Sequence, residues 1–388
     1  MTIQPSVLVL VFTNLRYDIR VRRQIDFLAK NYRLTICCVD INPGTPHRVI
    51  KVRVAKPNFI RKVMLTALLL LRRFTWANRV QYPFVDGVVE ELKNEHFDLI
   101  VANDVETLPL AFRLKKSDSK LIFDAHEYSP RQFEDRLWWR ILFQPLNVFL
   151  CTKYIPQTDG MITVSKSLAD EYEKHFGKKP IVITNAANYS DLKPVKTTPG
   201  TIKLVHQGSV GRSRKIELII GMMEFLPQHF TLDLMLVSFA GSNTEYMNEL
   251  RALAANDSRV RFIDPVPMDQ VIPALQKFDI GIILAPPLNF NYIYGLPNKL
   301  YDYVQARIGV LTSPTIEIAR VVEEHRLGLV GDDFTSEGMA RKFATLTEEH
   351  VHQFKLQSHA VAHELSAEKN EMIFDQLVRD VLHAQSVR

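Results

Sequence analysis

The chain has 388 residues, 46% hydrophobic and 23% charged, with a net charge of +5. That balance excludes a disordered chain, and the length exceeds what a single core supports, so two domains are expected. Cys37, Cys38 and Cys151 are too few for a disulfide framework and lack metal-ligand spacing, and read as buried thiols in a reducing compartment. The N-terminus has no basic leader or cleavage site and reads as a first strand. No apolar run approaches the roughly 18–20 residues of a membrane-spanning helix.

Short apolar, β-branched runs alternate with helical patterns along the first half, predicting strands over 7–12, 34–39, 49–54, 99–102, 121–124, 161–164 and 181–184. Continuous apolar runs separated by helices indicate parallel strands buried on both faces. Residues 17–30 form an amphipathic helix entered from a loop over 13–16. The stretch 186–200, AANYSDLKPVKTTPG, has no periodicity and reads as an interdomain linker. Strands restart over 202–206, 232–238, 261–263, 280–284, 309–312 and 328–330. The end of the chain, 348–385, is helical and either caps the second domain or crosses back to the first. The expected organisation is 1–190 and 200–350 as two α/β domains, with 351–388 a helical segment. Ligands are expected at the carboxyl ends of the strands.

The segment HQGSVGRSRKIELII, from His206 to Ile220, combines a strand end, a loop with Gly208 and Gly211, three cations and a helix expected to start near Ser213. Glycine lets backbone approach a ligand, and a helix start favours anions. Arg212, Arg214 and Lys215 crowd the same place, so an anion site competes evenly with a plain turn bearing solvated charges. In LNFNYIYGLPNKLYDYVQARIGVLTS, Gly295 and Pro297 mark a loop and Lys299 falls in the first helical turn, where a cation is unfavourable without an anion. Asp302 shares its helical face.

LPNKLYDYVQARIGVLTS resembles the donor-binding segment of glycosyltransferase family 4. YDIRVRRQIDFLAKNYRLTI, FDLIVANDVETLPLA, KLIFDAHEYSP, MITVSKSLADEY and IVITNAANY are similar to five further segments of that family in the same order. The resemblance implies the GT-B fold: α/β, two Rossmann-like domains with parallel sheets facing a central cleft, an N-terminal acceptor domain and a C-terminal donor domain. It implies a retaining hexosyltransferase using a UDP- or GDP-sugar, with no protein-bound metal and no cofactor. Arg214 and Lys299 would grip the diphosphate, with Gly208, Ser209, Lys215, Gly295 and Leu300 beside them, and Asp302 would contact the ribose. Tyr294 stands where the family carries the glutamate that contacts the transferred sugar. Backbone from Ile263 to Val266 would read the nucleobase. His126, between Asp124 and Glu127, would act at the reacting centre as a base or by positioning the sugar. Asn14, Asp18, Arg20, Asp104 and Glu127 would meet a saccharide or lipid-linked acceptor, and Glu106 reads as a helix N-terminal residue. The twelve histidines show no metal-ligand spacing.

Two segments are both apolar and basic, FIRKVMLTALLLLRRFTWANR at 59–79 and RLWWRILFQPLNVFLCTKYIP at 136–156. The first reads as an interfacial helix on a membrane surface, which fits polysaccharide or glycolipid synthesis on the cytoplasmic face. The second reads as core, because it also joins two strands. Nucleic acid is a poor partner, since no basic stripe is interleaved with aromatics. The competing functions are a sugar-nucleotide 2-epimerase and a non-catalytic sugar-nucleotide-binding protein. A hydride-transfer enzyme is disfavoured because no G-x-G-x-x-G follows the first strand.

Overall fold

A computed structural model describes residues 4–54, 57–238 and 244–384. The first residues of the predicted N-terminal strand region, Met1–Ile3, and Gln385 at the end of the predicted helical stretch lie outside them. The chain forms two compact units. One comprises Met1–Ile183, Asn289–Asn291 and Glu371–Arg388; the other comprises Thr184–Leu288 and Tyr292–Asn370.

The first unit holds seven strands: β1 (Ser6–Leu10), β2 (Arg33–Cys38), β3 (Arg48–Lys51), β4 (Leu99–Asn103), β5 (Lys120–Ala125), β6 (Gly160–Thr163) and β7 (Ile181–Val182). They pair in parallel in the order β3-β2-β1-β4-β5-β6-β7. Every residue of β1 and β4 is buried, which explains their unbroken apolar runs. The helix after β1 runs Ile19–Leu28, shorter than the expected 17–30, because Asp18 caps it by accepting from Val21 N–H. Phe374, Leu377, Val378 and Val381 of the Ala367–His383 helix pack into the core of this unit beside Val7, Val9 and Val101.

The second unit holds β8 (Ile202–Ser209), β9 (Phe230–Val237), β10 (Val260–Ile263), β11 (Ile280–Ile283), β12 (Gly309–Thr312) and β13 (Gly328–Val330). All pair in parallel, ordered β10-β9-β8-β11-β12-β13. The linker is drawn onto this unit by Arg307, which is wholly buried and donates to Ser190 O at 2.5 Å.

Two sequence expectations change. The helix expected near Ser213 begins at Ile216, preceded by a tight 3-10 turn over Arg212–Arg214, because Lys215 takes a left-handed conformation at φ 51° and interrupts the α-helical path. The segment 136–156, expected in the core, is a helix over Leu137–Tyr154 that buries only Leu146, Leu150 and Cys151. Its first turns are exposed, since joining two strands requires only one face of an 18-residue helix. No helix among the described residues is long and apolar enough to cross a membrane.

Candidate functional site

In the second unit the strand order reverses between β8 and β11, and ligands in such sheets bind at the carboxyl strand ends there. His206, Gln207, Gly208 and Ser209 form that end of β8. Gly208 has φ 140°, and a Cβ built on it would meet Lys299 Nζ at 3.2 Å. The glycine therefore leaves room for the ammonium.

The three loop cations have different fates. Arg212 forks onto Glu249, with N···O distances of 2.8 and 2.5 Å, and lies over the Tyr246 ring. Lys215 stands 3.6 Å from Glu217. Half-buried Arg214 has no ion pair or side-chain hydrogen bond to any described residue. Lys299, the second residue of the Asn298–Gln305 helix, is only 8% exposed and likewise has no such partner among the described residues. Burial, then the charge of Arg214, pushes its ammonium down to about 7, against a weaker pull from Asp302. Asp302 accepts instead from Gln207 Nε2 at 2.8 Å.

His206, which the sequence reading passed over, is buried and feels the charge of both cations. Its Nδ1–H donates to Ile282 O at 3.0 Å, and its buried Nε2 has no partner. Burial, then Lys299, holds it neutral. A histidine inside an apolar strand next to a glycine loop was the available signal. Two neighbouring cations without an ion pair, one of them buried and only weakly offset by Asp302, are costly unless an anion completes them.

The remaining predicted donor residues are more dispersed. Ile263 ends β10 and Val266 follows it, at the far edge of the sheet. Tyr294 ends the short Phe290–Tyr294 helix, and half-buried Gly295 follows. Leu300 lies wholly in the core, and its N–H is taken by Pro297 O, so it serves packing and the helix start.

In the first unit a charged cluster gathers at the ends of β4 and β5. His126 Nδ1 lies 3.3 Å from Asp104 and Nε2 3.7 Å from Asp124. Asp124 is also bound by Arg20 at 2.7 Å and by Gln24 Nε2 at 3.1 Å. Asn103 bonds Gln24 and approaches His126 Nε2 at 3.3 Å. Burial disfavours charge on His126, but Asp104 and then Asp124 outweigh it and raise the imidazole to about 9. Burial also works against Asp124, yet Arg20 and His126 hold its carboxyl well below the usual range. Asp104 sits at φ 65°, ψ 155°, a strained conformation for a non-glycine residue of the kind that clusters at functional sites. Burial, then Asp104, lifts Glu106 in the following 3-10 turn to about 8, so it is a partly protonated acid more than a dipole partner.

The predicted acceptor residues divide. Asp104 and Glu127 join the His126 cluster, and burial of its carboxyl with the charge of Asp104 raises Glu127. Asp18 is occupied by its cap and by Thr13 Oγ1 at 2.9 Å. Arg20 bridges Asp124 and Ile183 O, and Asn14 closes its own turn by accepting from Arg16 N–H. All three side chains are thus engaged within the first unit. Among the described residues no group of three or more His, Cys, Asp or Glu could hold a metal ion.

Residues 19–190 match the family model Glycosyltransferase Family 4. No curated protein matches the sequence. Solved structures similar in fold include sucrose-phosphate synthase from Thermosynechococcus elongatus, with TM-score 0.73 and 14% identity over 98% of this chain and 100% of that one. HepE of Anabaena, in complex with UDP and glucose, matches with TM-score 0.67 and 14% identity over 97% of this chain and 100% of that one. WaaG, a glycosyltransferase involved in lipopolysaccharide biosynthesis, matches with TM-score 0.62 and 13% identity over 95% and 99%. The shared fold is GT-B.

Proposed function

We propose that this chain, a glycosyltransferase whose residues 19–190 belong to family 4, transfers a hexose-type sugar from a UDP or GDP donor to a saccharide or lipid-linked acceptor. The reading is of retained anomeric configuration, in cell-surface polysaccharide or glycolipid synthesis, by an enzyme peripheral to the cytoplasmic membrane face.

One observation carries it: buried Lys299 and half-buried Arg214 stand together at the switch of the second sheet with no ion pair to any described residue, and only Asp302 pulls on Lys299. A sugar-nucleotide diphosphate supplies the missing negative charge. Charge grows on that diphosphate as the glycosidic bond breaks, so fixed cations stabilise the transition state more than the ground state. They do so here without a protein-bound metal. Asp302 and Gln207 then face the ribose, and the strand ends toward Ile263 and Val266 the base.

In the first unit His126 is held as an imidazolium by Asp104 and Asp124. A cation cannot accept the acceptor's proton. His126 therefore donates to a sugar hydroxyl, and a phosphate oxygen of the departing donor takes the proton on the face it leaves, which yields retention. Asp104 and Glu127 receive acceptor hydroxyls.

The test is binding of labelled UDP- and GDP-sugars, followed by transfer with candidate saccharide acceptors. Arg214→Ala and Lys299→Ala are expected to lose both while circular dichroism stays unchanged. Wild-type activity in both variants overturns the site, and an epimer formed from donor alone overturns the transferase reading.

A further inference from the structure

We propose that three helices of the first unit, Phe59–Leu70, Phe74–Gln81 and Leu137–Tyr154, build one docking surface that lies in an anionic lipid interface. The proposal deepens the membrane-face part of the reading above and rests on it.

The Phe59–Leu70 helix, capped by Asn58, buries only Leu65 and Leu69. Phe59, Val63 and Leu70 follow one helical stripe toward solvent, and Phe59 and Leu71 are 80% and 71% exposed. The Leu137–Tyr154 helix packs against this helix, and Phe149 meets Phe74 with ring centroids 5.2 Å apart. Its first turns expose Leu137, Trp138 (73%) and Ile141. Adjoining helices of the first unit thus both expose large apolar side chains, and such exposure, where it is contiguous, marks an interaction site more often than a solvated surface.

The charge around it names the partner. From Pro57 to Tyr82 and from Arg136 to Thr158 the chain carries eight cations and no carboxylate side chain. Of the acids that flank these spans, Asp86 pairs with Arg113 at 2.6 Å, Glu134 with Arg131 at 2.5 Å and Asp159 with Lys115 at 2.9 Å, while Asp135 accepts from Asn289 Nδ2 at 3.1 Å. Arg79 lies over Trp76 and Arg136 over Phe133, so cations and aromatic rings share one border. All three tryptophans of the chain, Trp76, Trp138 and Trp139, lie on these helices. Apolar side chains with Trp among them and Lys or Arg around them suit the headgroup–acyl boundary of anionic lipid. A second copy of the chain docked face to face would bring cations against cations, which disfavours self-association through this surface.

The full chain is tested by sedimentation with vesicles of phosphatidylcholine alone and of phosphatidylcholine mixed with phosphatidylglycerol, while tryptophan emission is followed. Binding to the anionic vesicles only, with a blue shift and release by salt, is expected. Lys62→Glu with Arg73→Glu should weaken it about thirtyfold or more. Ile60→Ser with Leu71→Ser and Trp138→Ser should abolish the blue shift of the remaining tryptophans. UDP-sugar binding is measured on the same preparations and should be unchanged in both variants. Intact donor binding with no vesicle binding by the wild type overturns the docking surface alone, as does vesicle binding by the triple variant equal to wild type. Concentration-dependent dimers dissolved by the triple substitution, without vesicle binding, overturn it in favour of a second copy. Vesicle binding with no donor binding overturns the proposed function and leaves the surface standing.

Discussion

Lys299 Nζ lies 3.2 Å from the position a Cβ on Gly208 would occupy, so the missing side chain of one residue is the space in which the other's charge sits. The two come from different strand–helix units, the end of β8 and the start of the Asn298–Gln305 helix. Their proximity turns a glycine in a strand and a lysine in a first turn into one cation-lined floor.

Gly208→Ala should damage that floor in two ways. Its φ of 140° is strained for any L side chain, at a cost of about 1–3 kcal/mol in stability. The added methyl also displaces the ammonium. Losing one charge-assisted contact should weaken UDP binding roughly tenfold to a hundredfold by calorimetry. Gly211→Ala is the control: a Cβ there meets Ser213 Oγ at 3.9 Å and Arg214 Cγ at 4.0 Å in extended backbone, so little should change.

Lys299→Met separates function from stability. Burial and Arg214 push the Lys299 ammonium down to about 7 from its ordinary value of about 10.4. Between those values the unfolded chain binds a proton that the folded chain does not, so this group makes stability rise with pH across the window. Below about 7 both states are protonated and its unfavourable contribution is complete. In donor-free thermal melts the Met variant should match or exceed the wild type near neutral pH and lack this rising component. Donor affinity of the wild type should fall as pH rises through about 7, since the diphosphate must load the proton. A variant that melts lower than wild type and shows the same pH slope would remove the argument.

Thirteen strands among the described residues correspond to the apolar runs visible in the sequence, because parallel strands buried on both faces leave unbroken Val, Ile and Leu stretches. Their ends shift by up to three residues: β8 continues through His206 to Ser209, where polar Gln207 and Gly208 still pair with β9. The late start of the helix after Arg214 was not legible, since nothing in GRSRK marks a left-handed Lys215. Nor was the exposure of Trp138, because an apolar helix face looks the same whether it meets core or solvent. The carboxylates around His126 come from adjacent strands: Asp104 and Asp124 are twenty residues apart in sequence and meet only through the β4–β5 pairing. Gln24, which ties Asn103 to Asp124, lies on a helix 79 and 100 residues from them and gave no local signal.

His126 should titrate as a cation-stabilised group. Its folded value is raised to about 9, so its stabilising contribution is complete below about 6.5 and is lost as pH rises through about 9. An NMR titration should find the imidazolium at pH 7.5, and the pH–rate profile should show no inflection near 6.5 assignable to this residue. His126→Ala leaves Asp104 and Asp124 without the cation they share, at an expected cost of about 2–4 kcal/mol. A neutral imidazole at pH 7.5 would return His126 to the role of base.

Arg20 decides between framework and acceptor contact. Its guanidinium spans Asp124 at 2.7 Å and Ile183 O at 2.9 Å, and its side chain is 15% exposed against 3% for Asp124. Removing one partner of a buried pair strands the other charge, so Arg20→Met should cost about 3–5 kcal/mol in chemical denaturation. Arg20→Lys should recover only part of this, because a single ammonium cannot reproduce a fork held at two acceptors. Adding Asp124→Asn to Arg20→Met removes the stranded charge, so the double variant should be more stable than Arg20→Met alone, with a coupling of about 1–3 kcal/mol. Glu127→Gln is the complement: burial and the charge of Asp104 disfavour its carboxylate, so acceptor KM should rise while melting at neutral pH stays equal or rises. If Arg20→Met melts like the wild type and raises acceptor KM instead, Arg20 touches the acceptor and the ion pair with Asp124 is incidental.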